Sequence, residues 1–414
     1  MRGDGAVRTP LLRPRKHAPM AERLRNLAII AHVDHGKTTL VDQMLVQGGA
    51  FRENEAHAVR AMDSGALERE RGITILAKCT SILWKTDGED IRINVVDTPG
   101  HADFGGEVER VLGMVDSCVL LVDAGEGPMP QTKFVLAKAL ARGLRPIVVL
   151  NKVDRAQAEP DKALNEIFEM FLALGASDAQ ADFPILYASG KDGWATTDLA
   201  APRENLTPLF DLIVRHTPEP EPAKRRGEPF ALLATMLDAD PFLGRMLTGR
   251  IESGRVNVGD HVKSLSREGV EIERGRLTKL LAYRGLKRVP VECAEAGDIV
   301  AIAGLVETNV ADTIGALELI DPIPATPIDP PTLAITVSIN DSPLAGRAGD
   351  KVQSRVIRDR LLREQESNVA IRVRETENKD AYEVAGRGEL QLGVLIETMR
   401  REGFEVSISR PKVL

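Results

Sequence analysis

The chain has 414 residues, with 54 Lys and Arg against 61 Asp and Glu, and a net charge of −7. A single hydrophobic core rarely includes so many residues, so the length predicts two to four domains. The acidic balance excludes a general attraction to nucleic acid but leaves room for a local basic face.

The cysteines and the apolar runs restrict the class of protein further. Cys79, Cys118 and Cys293 are far apart in sequence and odd in number. We therefore expect no disulfide framework, a reducing cytoplasmic compartment, and burial of all three thiols as small apolar side chains. No apolar run approaches the roughly 20 residues of a membrane-spanning helix, so we expect no membrane association.

Residues 1–22 are predicted to form a disordered basic arm. The first nineteen of them carry five basic side chains against one acidic, and three prolines. They contain no apolar segment long enough for a secretory signal. Such an arm usually has no specific role; an over-extended gene start, a tail that touches nucleic acid and an organelle transit segment stay open.

Residues 23–217 alternate apolar strand segments with amphipathic segments. Several strands, such as CVLLVDA and PIVVLN, are nearly continuous apolar runs. Burial on both faces of a mostly parallel sheet requires such runs. The pattern predicts a doubly wound α/β domain.

The stretch AHVDHGKTTL, Ala31 to Leu40, follows the first strand and approaches the pattern G-x-x-x-x-G-K-[ST], with alanine as its first residue. Alone, its Gly-Lys-Thr is also compatible with a turn that opens a helix. Between a buried strand and a helix, however, its backbone N–H groups can enclose phosphates, while Lys37 reaches the β and γ groups and the Thr38 hydroxyl takes Mg²⁺. We predict nucleotide contacts from Asp34, His35, Gly36, Lys37, Thr38 and Thr39.

The strand IRINVVD ends at Asp97 and is followed by TPGH. Ligands of open α/β sheets bind at the carboxyl ends of the strands, so Asp97 is predicted to face the phosphate loop and hold Mg²⁺ through water. The Gly100 amide is predicted to reach the γ-phosphate. By itself, D-T-P-G is also a good turn sequence.

The segment PIVVLNKVD is predicted to determine which nucleotide base the site prefers. The Asp154 carboxylate can accept from the ring N–H and the exocyclic amine that guanine has together and adenine lacks, a discrimination that can reach roughly 10⁴-fold. After the next strand, Ser189 and the amide of Gly190 are predicted to form the second wall of the base pocket. The predicted base contacts are Asn151, Lys152, Val153, Asp154, Ser189 and Gly190.

Two further segments are predicted to act in hydrolysis. In ERERGITI, Thr74 can close over the nucleotide with its hydroxyl on Mg²⁺ and its N–H on the γ-phosphate. His101 can orient the attacking water, behind an apolar gate of Val33 and Ile73. A mobile loop and an ordinary surface histidine are the plainer alternatives. The predicted catalytic residues are His101, Lys37 and Thr74, and the predicted Mg²⁺ ligands are Thr38, Thr74 and Asp97.

The rest of the chain predicts two more domains. A Pro-rich charged segment, 218–228, is predicted to be an extended linker. Residues 229–320 show short strands with glycines at hairpin spacing and predict a β-barrel. After a second linker, 321–331, residues 332–414 follow the ferredoxin-like βαββαβ order, with helices predicted from about Lys351 to Glu364 and from about Glu389 to Arg401.

Taken together, AHVDHGKT, RGITI, DTPGH and NKVD resemble the motifs of the translational GTPases, related to elongation factors Tu and G. HADFGGEVERV, EGPMPQT, ERGITILAK and the closing GRGEL, RREGFE and SRPKV are similar to the ribosome-associated BipA (TypA) family. The resemblance extends from about Leu24 to Leu414. The family's YASA is YASG here, at Tyr187 to Gly190, which preserves the amide that faces the base.

The resemblance implies a GTP domain, a β-barrel and a ferredoxin-like third domain, followed in the family by a second ferredoxin-like domain and a C-terminal domain that contact the large ribosomal subunit. This chain stops after the third, which predicts a fragment or a shortened gene model. The implied partners are GTP or GDP and the ribosome, through rRNA and tRNA and largely through the missing domains. We expect a monomer.

The predicted function is Mg²⁺-dependent GTP hydrolysis in assembly of the large ribosomal subunit and in stress-related translation. A nucleotide-gated ribosome-binding module with negligible intrinsic hydrolysis is the first alternative. A translocase like elongation factor G is the second, and HADFGGEVERV argues against it.

Overall fold

The fold is described from a computed structural model, over residues 23–50, 65–86, 88–240, 243–325, 329–368, 370–377 and 380–414. The predicted basic arm of residues 1–22 lies outside the described residues.

The N-terminal part is an α/β domain. Its strands are β1 (Arg23–Ala31), β2 (Lys78–Lys85), β3 (Asp90–Asp97), β4 (Ser117–Asp123), β5 (Arg145–Asn151), β6 (Ile185–Ser189) and β7 (Trp194–Thr196). Its helices are α1 (Lys37–Gln47), α2 (Ala66–Arg71), α3 (Gly105–Val111), α4 (Pro130–Ala141), α5 (Pro160–Ala173), α6 (Asp178–Ala181) and α7 (Thr207–His216). The sheet order is β2-β3-β1-β4-β5-β6-β7, parallel except for the antiparallel edge strands β2 and β7.

The sheet is covered on both faces, as its apolar strands predict. Every residue of β4 is buried, and its side chains alternate between two cores. Leu120 joins the core formed with α3, α4 and α5, whereas Leu121 joins the core formed with α1 and α7. Because β1, β3, β4, β5 and β6 run in parallel, their carboxyl ends meet at one edge, which is where the predicted motifs lie.

The second part of the chain is rich in antiparallel β-structure. Its strands are β8 (Ala231–Leu233), β9 (Met236–Asp240), β10 (Gly244–Ser253), β11 (Arg255–Asn257), β12 (His261–Leu265), β13 (Glu271–Arg276), β14 (Lys279–Arg284), β15 (Lys287–Pro290), β16 (Cys293–Glu295), β17 (Ile299–Ala303) and β18 (Thr313–Ala316). One sheet has the order β13-β12-β18-β8-β10-β17-β14-β15, with β9 also paired to β10, and β11 pairs with β16. Apolar side chains such as Leu232, Ile251 and Ile302 form its core.

The segment before this sheet is not extended, contrary to the sequence prediction. Residues Glu221–Arg225 form a 3-10 helix. The backbone carbonyl of Arg225 accepts from Gly254 N–H at 2.9 Å, and Pro222 is buried. Proline fixes its own φ near the value that a 3-10 turn needs, so a Pro-rich segment can turn as readily as it can extend.

The third part contains β19 (Leu333–Ile339), α8 (Ser354–Ser367), β20 (Arg372–Glu375), β21 (Ala381–Gly386), α9 (Glu389–Arg401), β22 (Val406–Ile408) and β23 (Lys412–Val413). The antiparallel sheet order is β20-β21-β19-β22, and β23 also pairs with β19. Leu361 from α8 and Leu395 from α9 pack with Val337 and Val384 of the sheet. The bounds of α9 agree with the prediction, whereas α8 begins three residues later than predicted.

The three parts contact one another directly. Asn26 Nδ2 donates to Gly297 O at 3.0 Å, and Arg250 pairs with Asp116 at 2.9 Å, which joins the α/β domain to the second part. Edge strand β2 also forms hydrogen bonds with the hairpin of β14 and β15, and Ser81 takes part in them with both its side chain and its backbone. The third part contacts the α/β domain through α9.

One cysteine prediction is wrong. Cys79 and Cys118 are buried, but Cys293 is exposed. It lies on β16 of the short two-stranded ribbon, where Ala294 points inward and its neighbour therefore points to solvent. Along the described ranges, no helix is long and apolar enough to cross a membrane.

Candidate nucleotide-binding site

A cavity of about 490 Å³ opens at the carboxyl edge of the parallel strands. This volume lies within the range of small-ligand sites, roughly 300–1,000 Å³. The residues predicted from sequence that line it are Val33, Asp34, Gly36, Lys37, Thr38, Thr39, Ile73, Thr74, Gly100, Asn151, Lys152, Asp154 and Ser189. Segments from five different parts of the α/β domain therefore meet around one space.

The phosphate loop connects β1 to the start of α1. Asp34 and Gly36 adopt φ angles of 64° and 93°, so the chain turns sharply before the helix begins at Lys37. Glycine is required at position 36 twice over, because that φ is costly for other residues and a Cβ there would lie 2.5 Å from Asn151 Nδ2. The first turn of α1 contains no acidic side chain, and its amides are the unpaired donors that anions bind.

The alanine at the start of the loop is explained by its backbone. Ala31 is the last residue of β1 and pairs with Leu121 in the parallel ladder. Extended backbone is open to any residue, so glycine is not required there. Glycine is instead favoured at position 100, which faces Ala31, because a Cβ on Gly100 would lie 3.1 Å from the Ala31 carbonyl oxygen.

Lys37 is buried at the bottom of the cavity. Its ammonium pairs with the Asp97 carboxylate and donates to the Thr98 carbonyl, and it lies 3.3 Å from Thr74 Oγ1. Thr74 Oγ1 in turn lies 3.4 Å from Asp97 Oδ2. Thr98 is fixed by its hydroxyl, which donates to Ile29 O at 2.8 Å. The ammonium is therefore held by groups of two segments, the end of β3 and the chain around Thr74, at the place where phosphates would enter.

Asn151 connects the two halves of the cavity. It is 2% exposed, its Nδ2 donates to His35 O at 2.8 Å, and its Oδ1 accepts from Gly190 N–H at 2.8 Å. One amide side chain thus joins the phosphate loop, the end of β5 and the loop after β6. Because both contacts are buried, losing the side chain would leave a donor and an acceptor unpaired.

Lys152 forms a second link between the same loops. Its ammonium donates to Asp34 O at 2.6 Å and pairs with Asp123 Oδ2 at 2.6 Å. Burial alone would raise the pKa of Asp123, but the hydrogen bonds from Lys152 and from Gly125 N–H outweigh burial and lower that pKa. A charged pair therefore stands at the end of β4.

The base end of the cavity is more open. Asp154 is exposed and lines the cavity, so its carboxylate is available to a ligand. Ser189 is buried, and its hydroxyl donates to Asp192 Oδ2 at 2.9 Å. The exposed Asp154 carboxylate can therefore accept hydrogen bonds from two N–H groups of a planar ring. It lies beside a loop that the hydrogen bond of Ser189 stiffens.

Several predicted residues do not line the cavity. Asp97 lies beneath it, behind Lys37, and Val153 packs toward the apolar core. The Gly190 N–H, predicted to face the base, donates to Asn151 instead. His35 is fully buried, and burial lowers its pKa, with nearby His32 adding to the effect. His101 lies in a separate crevice against α9.

The cavity also has lining residues that the sequence motifs did not indicate: His32, Gly72, Glu126, Arg155 and Lys191. Each is adjacent to a predicted residue or follows a strand end. Glu126 comes three residues after Asp123, the last residue of β4, so a search of every strand end would have found it. Lys191 directly follows Gly190 in the same way.

The oxygen donors near Lys37 are compatible with Mg²⁺. Thr38, Thr74 and Asp97 offer hydroxyl and carboxylate oxygens, which are the hard ligands that this ion prefers. Within the part of the chain that the structure describes, no group of three or more His, Cys, Asp or Glu side chains could hold a metal alone. Mg²⁺ at a nucleotide is typically bound by one or two protein ligands together with phosphate oxygens of the substrate. These residues can supply the protein ligands.

Two family models match parts of this chain, and a solved structure is similar to it in fold. Residues 22–219 match the family described as the elongation factor Tu GTP binding domain, and residues 244–315 match elongation factor Tu domain 2. A crystal structure of a protein from Thermus thermophilus is similar in fold, with a TM-score of 0.70 at 19% identity, over 94% of this chain and 68% of that one.

The curated relatives are closer in sequence. "Large ribosomal subunit assembly factor BipA" of Synechocystis is 52% identical over 95% of this chain, and that of Escherichia coli K12 is 52% identical over 95%. The Bacillus subtilis protein of the same name is 49% identical over 94%. The chain spans 65%, 64% and 63% of the lengths of these three relatives. The similarity includes all three parts of the fold, so over nearly its whole length the chain is similar to these BipA proteins.

Proposed function

We propose that the cavity binds GTP and that the chain hydrolyses it to GDP and phosphate, with Mg²⁺. The observation that carries the proposal is the double contact of Asn151, which joins a phosphate loop to a base-binding loop around one space. Phosphates would lie on the amides of α1 and on Lys37, and the guanine ring would lie by Asp154. The base preference follows from Asp154, since only guanine presents both a ring N–H and an exocyclic amine to one carboxylate.

The residues of this chain would act in hydrolysis as follows. Water attacks the γ-phosphorus, and the bond from that atom to the oxygen bridging the β-phosphate breaks, which yields GDP and phosphate. Lys37 leaves Asp97 to contact the phosphate oxygens and offset the growing negative charge. His101 turns from its crevice past Val33 and Ile73, which line the cavity, and orients the water.

Thr38, Thr74 and Asp97 would hold Mg²⁺, which when bound neutralises phosphate charge. Thr74 belongs to a segment that changes partners when the ammonium of Lys37 moves to the phosphates. Its contact with Asp97 is long, at 3.4 Å, so it is readily exchanged.

The biological role proposed here is assembly of the large ribosomal subunit and stress-related translation, in the cytoplasm, with rRNA and tRNA as ribosomal contacts. Its support is the name carried by relatives that share about half of their aligned residues with this chain. The third part is proposed to be a ferredoxin-like domain, because its elements follow the order strand, helix, strand, strand, helix, strand. We propose that the chain is a monomer.

A second candidate is a nucleotide-gated binding module with negligible hydrolysis. One observation favours it, which is that His101 does not line the nucleotide cavity. In such a module, GTP and GDP would differ in the segment around Thr74 rather than in turnover.

Single-turnover release of phosphate from GTP, with and without ribosomes, separates the two. We expect phosphate release by the chain, its loss in Lys37→Ala, and no change in the control Lys133→Ala, an exposed lysine on α4. Tight GTP binding without release under either condition would contradict the enzyme and leave the module. Failure to bind GTP would contradict both.

A further inference from the structure

Asp103 lies between His101 and helix α9 of the third part. Its backbone N–H donates to His101 Nδ1 at 3.2 Å, and its Oδ1 lies 3.2 Å from the same nitrogen. Its other carboxylate oxygen, Oδ2, accepts from Leu390 N–H at 2.8 Å. One short side chain therefore contacts both the histidine and a helix that is 287 positions away in sequence.

The N-terminus of α9 is shaped for this carboxylate. The helix is preceded by Gly388, which has no side chain to cap the free amides. Gly388 is in an extended conformation that any residue can adopt, but a Cβ there would overlap the Asp103 carboxylate. Asp103 thus caps α9 from another domain, and its negative charge lies at the positive end of the helix.

The histidine is held away from the nucleotide cavity by the same arrangement. Its ring lines a crevice between α2 and α9, together with Leu67, Arg71, Leu390 and Val394. Asp103 contacts both His101 and Leu390 of α9, so it connects the position of α9 to that of the histidine.

Ion pairs near both ends of α9 add to this contact. Near its C-terminus, Arg401 pairs with Glu70 of α2. Just before its N-terminus, Arg387 pairs with Glu109 of α3 at 3.5 Å and with Asp329 at 2.7 Å. The third part is therefore docked at both ends of α9, on the segments that flank the cavity.

We propose that Asp103 is a positioning residue that keeps His101 in the α9 crevice while the third part is docked. Displacement of α9 releases the Asp103 carboxylate, and His101 then turns to the attacking water. Intrinsic hydrolysis is restrained by this contact and increases when a partner shifts the third part. The inference rests on the proposed GTPase function and adds its regulation.

Two substitutions test the contact from opposite sides. Asp103→Ala removes the carboxylate, whereas Gly388→Ala pushes it away and leaves the α/β domain unchanged, so the second variant decides if the first does not fold. Loss of one charge-assisted hydrogen bond is expected to raise the ribosome-independent kcat about tenfold, with KM for GTP unchanged. Asp161→Ala, an exposed Asp in the first turn of α5, is the matched control and should not change kcat.

The decisive comparison uses His101→Ala. We expect the gain from Gly388→Ala to disappear in the double variant, because the gain acts through His101. A wild-type or lower kcat in both Asp103→Ala and Gly388→Ala, or a gain that persists without His101, would overturn the proposal.

Imidazole nitrogen NMR of His101, in protein bound to a non-hydrolysable GTP analogue, gives a readout independent of turnover. Gly388→Ala should shift the Nδ1 resonance, and an unchanged resonance would overturn the proposal. If wild type never hydrolyses GTP, the proposed function fails on its own, and the resonance still decides whether Gly388 controls His101.

Discussion

Replacing Asn151 by alanine should separate the two halves of the nucleotide cavity. The side chain is buried and makes one hydrogen bond to His35 O and one to Gly190 N–H, each 2.8 Å long. Alanine cannot make either bond and does not fill the space. Both partner groups then remain buried without a hydrogen bond inside the protein.

The magnitude follows from these two contacts. A hydrogen bond contributes about 0.5–1.5 kcal/mol, and an orphaned buried group costs about 1–3 kcal/mol, so a total of about 2–4 kcal/mol is reasonable. If the loss falls on the loop arrangement that binds nucleotide, the Kd for GTP rises roughly 30- to 1,000-fold. If part of it falls on the fold, the free energy of unfolding decreases by the remainder.

Isothermal titration with GTP, together with urea unfolding, measures both quantities. Asn165→Ala, at an exposed position of α5, is the matched control and should leave both within experimental error. Wild-type GTP affinity and wild-type stability in Asn151→Ala would refute the role of this side chain as the link between the loops.

Three further outcomes are expected. Burial raises the pKa of Asp116 to about 6, above about 3.9 in the unfolded chain, so its stabilising contribution is present at low pH and is lost as pH rises through 6. The free energy of unfolding of wild type relative to Asp116→Asn should therefore fall by about 2 kcal/mol from about pH 4.5 to about pH 7.5, and parallel profiles in urea melts would contradict this. Thr38→Ala should weaken the Mg²⁺ dependence of GTP binding, and the same EDTA sensitivity as wild type would argue against a Thr38 ligand. Gly36→Ala should abolish measurable binding because of its φ of 93° and the collision with Asn151; retained affinity in fluorescent-nucleotide titration would contradict that geometry.

Strand positions in the α/β domain were predictable because burial on both faces leaves a continuous apolar run. The antiparallel direction of β2 was not, since direction depends on which neighbour a strand meets, and the short strand β7 was not predicted at all. The start of α8 was misplaced for a similar reason. Lys351 N–H donates to Gly403 O at 3.1 Å, in a bridge to the chain around Phe404, which keeps residue 351 extended and delays the helix.

At the site, motifs at strand ends predicted which segments meet, because parallel strands bring their carboxyl ends to one edge. Side-chain directions were harder to predict. His101 was expected at the γ-phosphate, yet its position depends on Asp103 and on a helix from another part of the chain. The Gly190 N–H was predicted to face the base but donates to Asn151. This difference likewise depends on a tertiary contact that the spacing of motifs does not reveal.

Nucleotide preference at Asp154 tests the central claim most directly. We would measure the Kd of GTP and of xanthosine triphosphate for wild type and for Asp154→Asn. Wild type should prefer GTP, and the variant should prefer xanthosine triphosphate, because the amide offers a donor where guanine also has a donor and xanthine has an oxygen. Unchanged GTP affinity in Asp154→Asn would contradict the assignment of this cavity as a guanine nucleotide site.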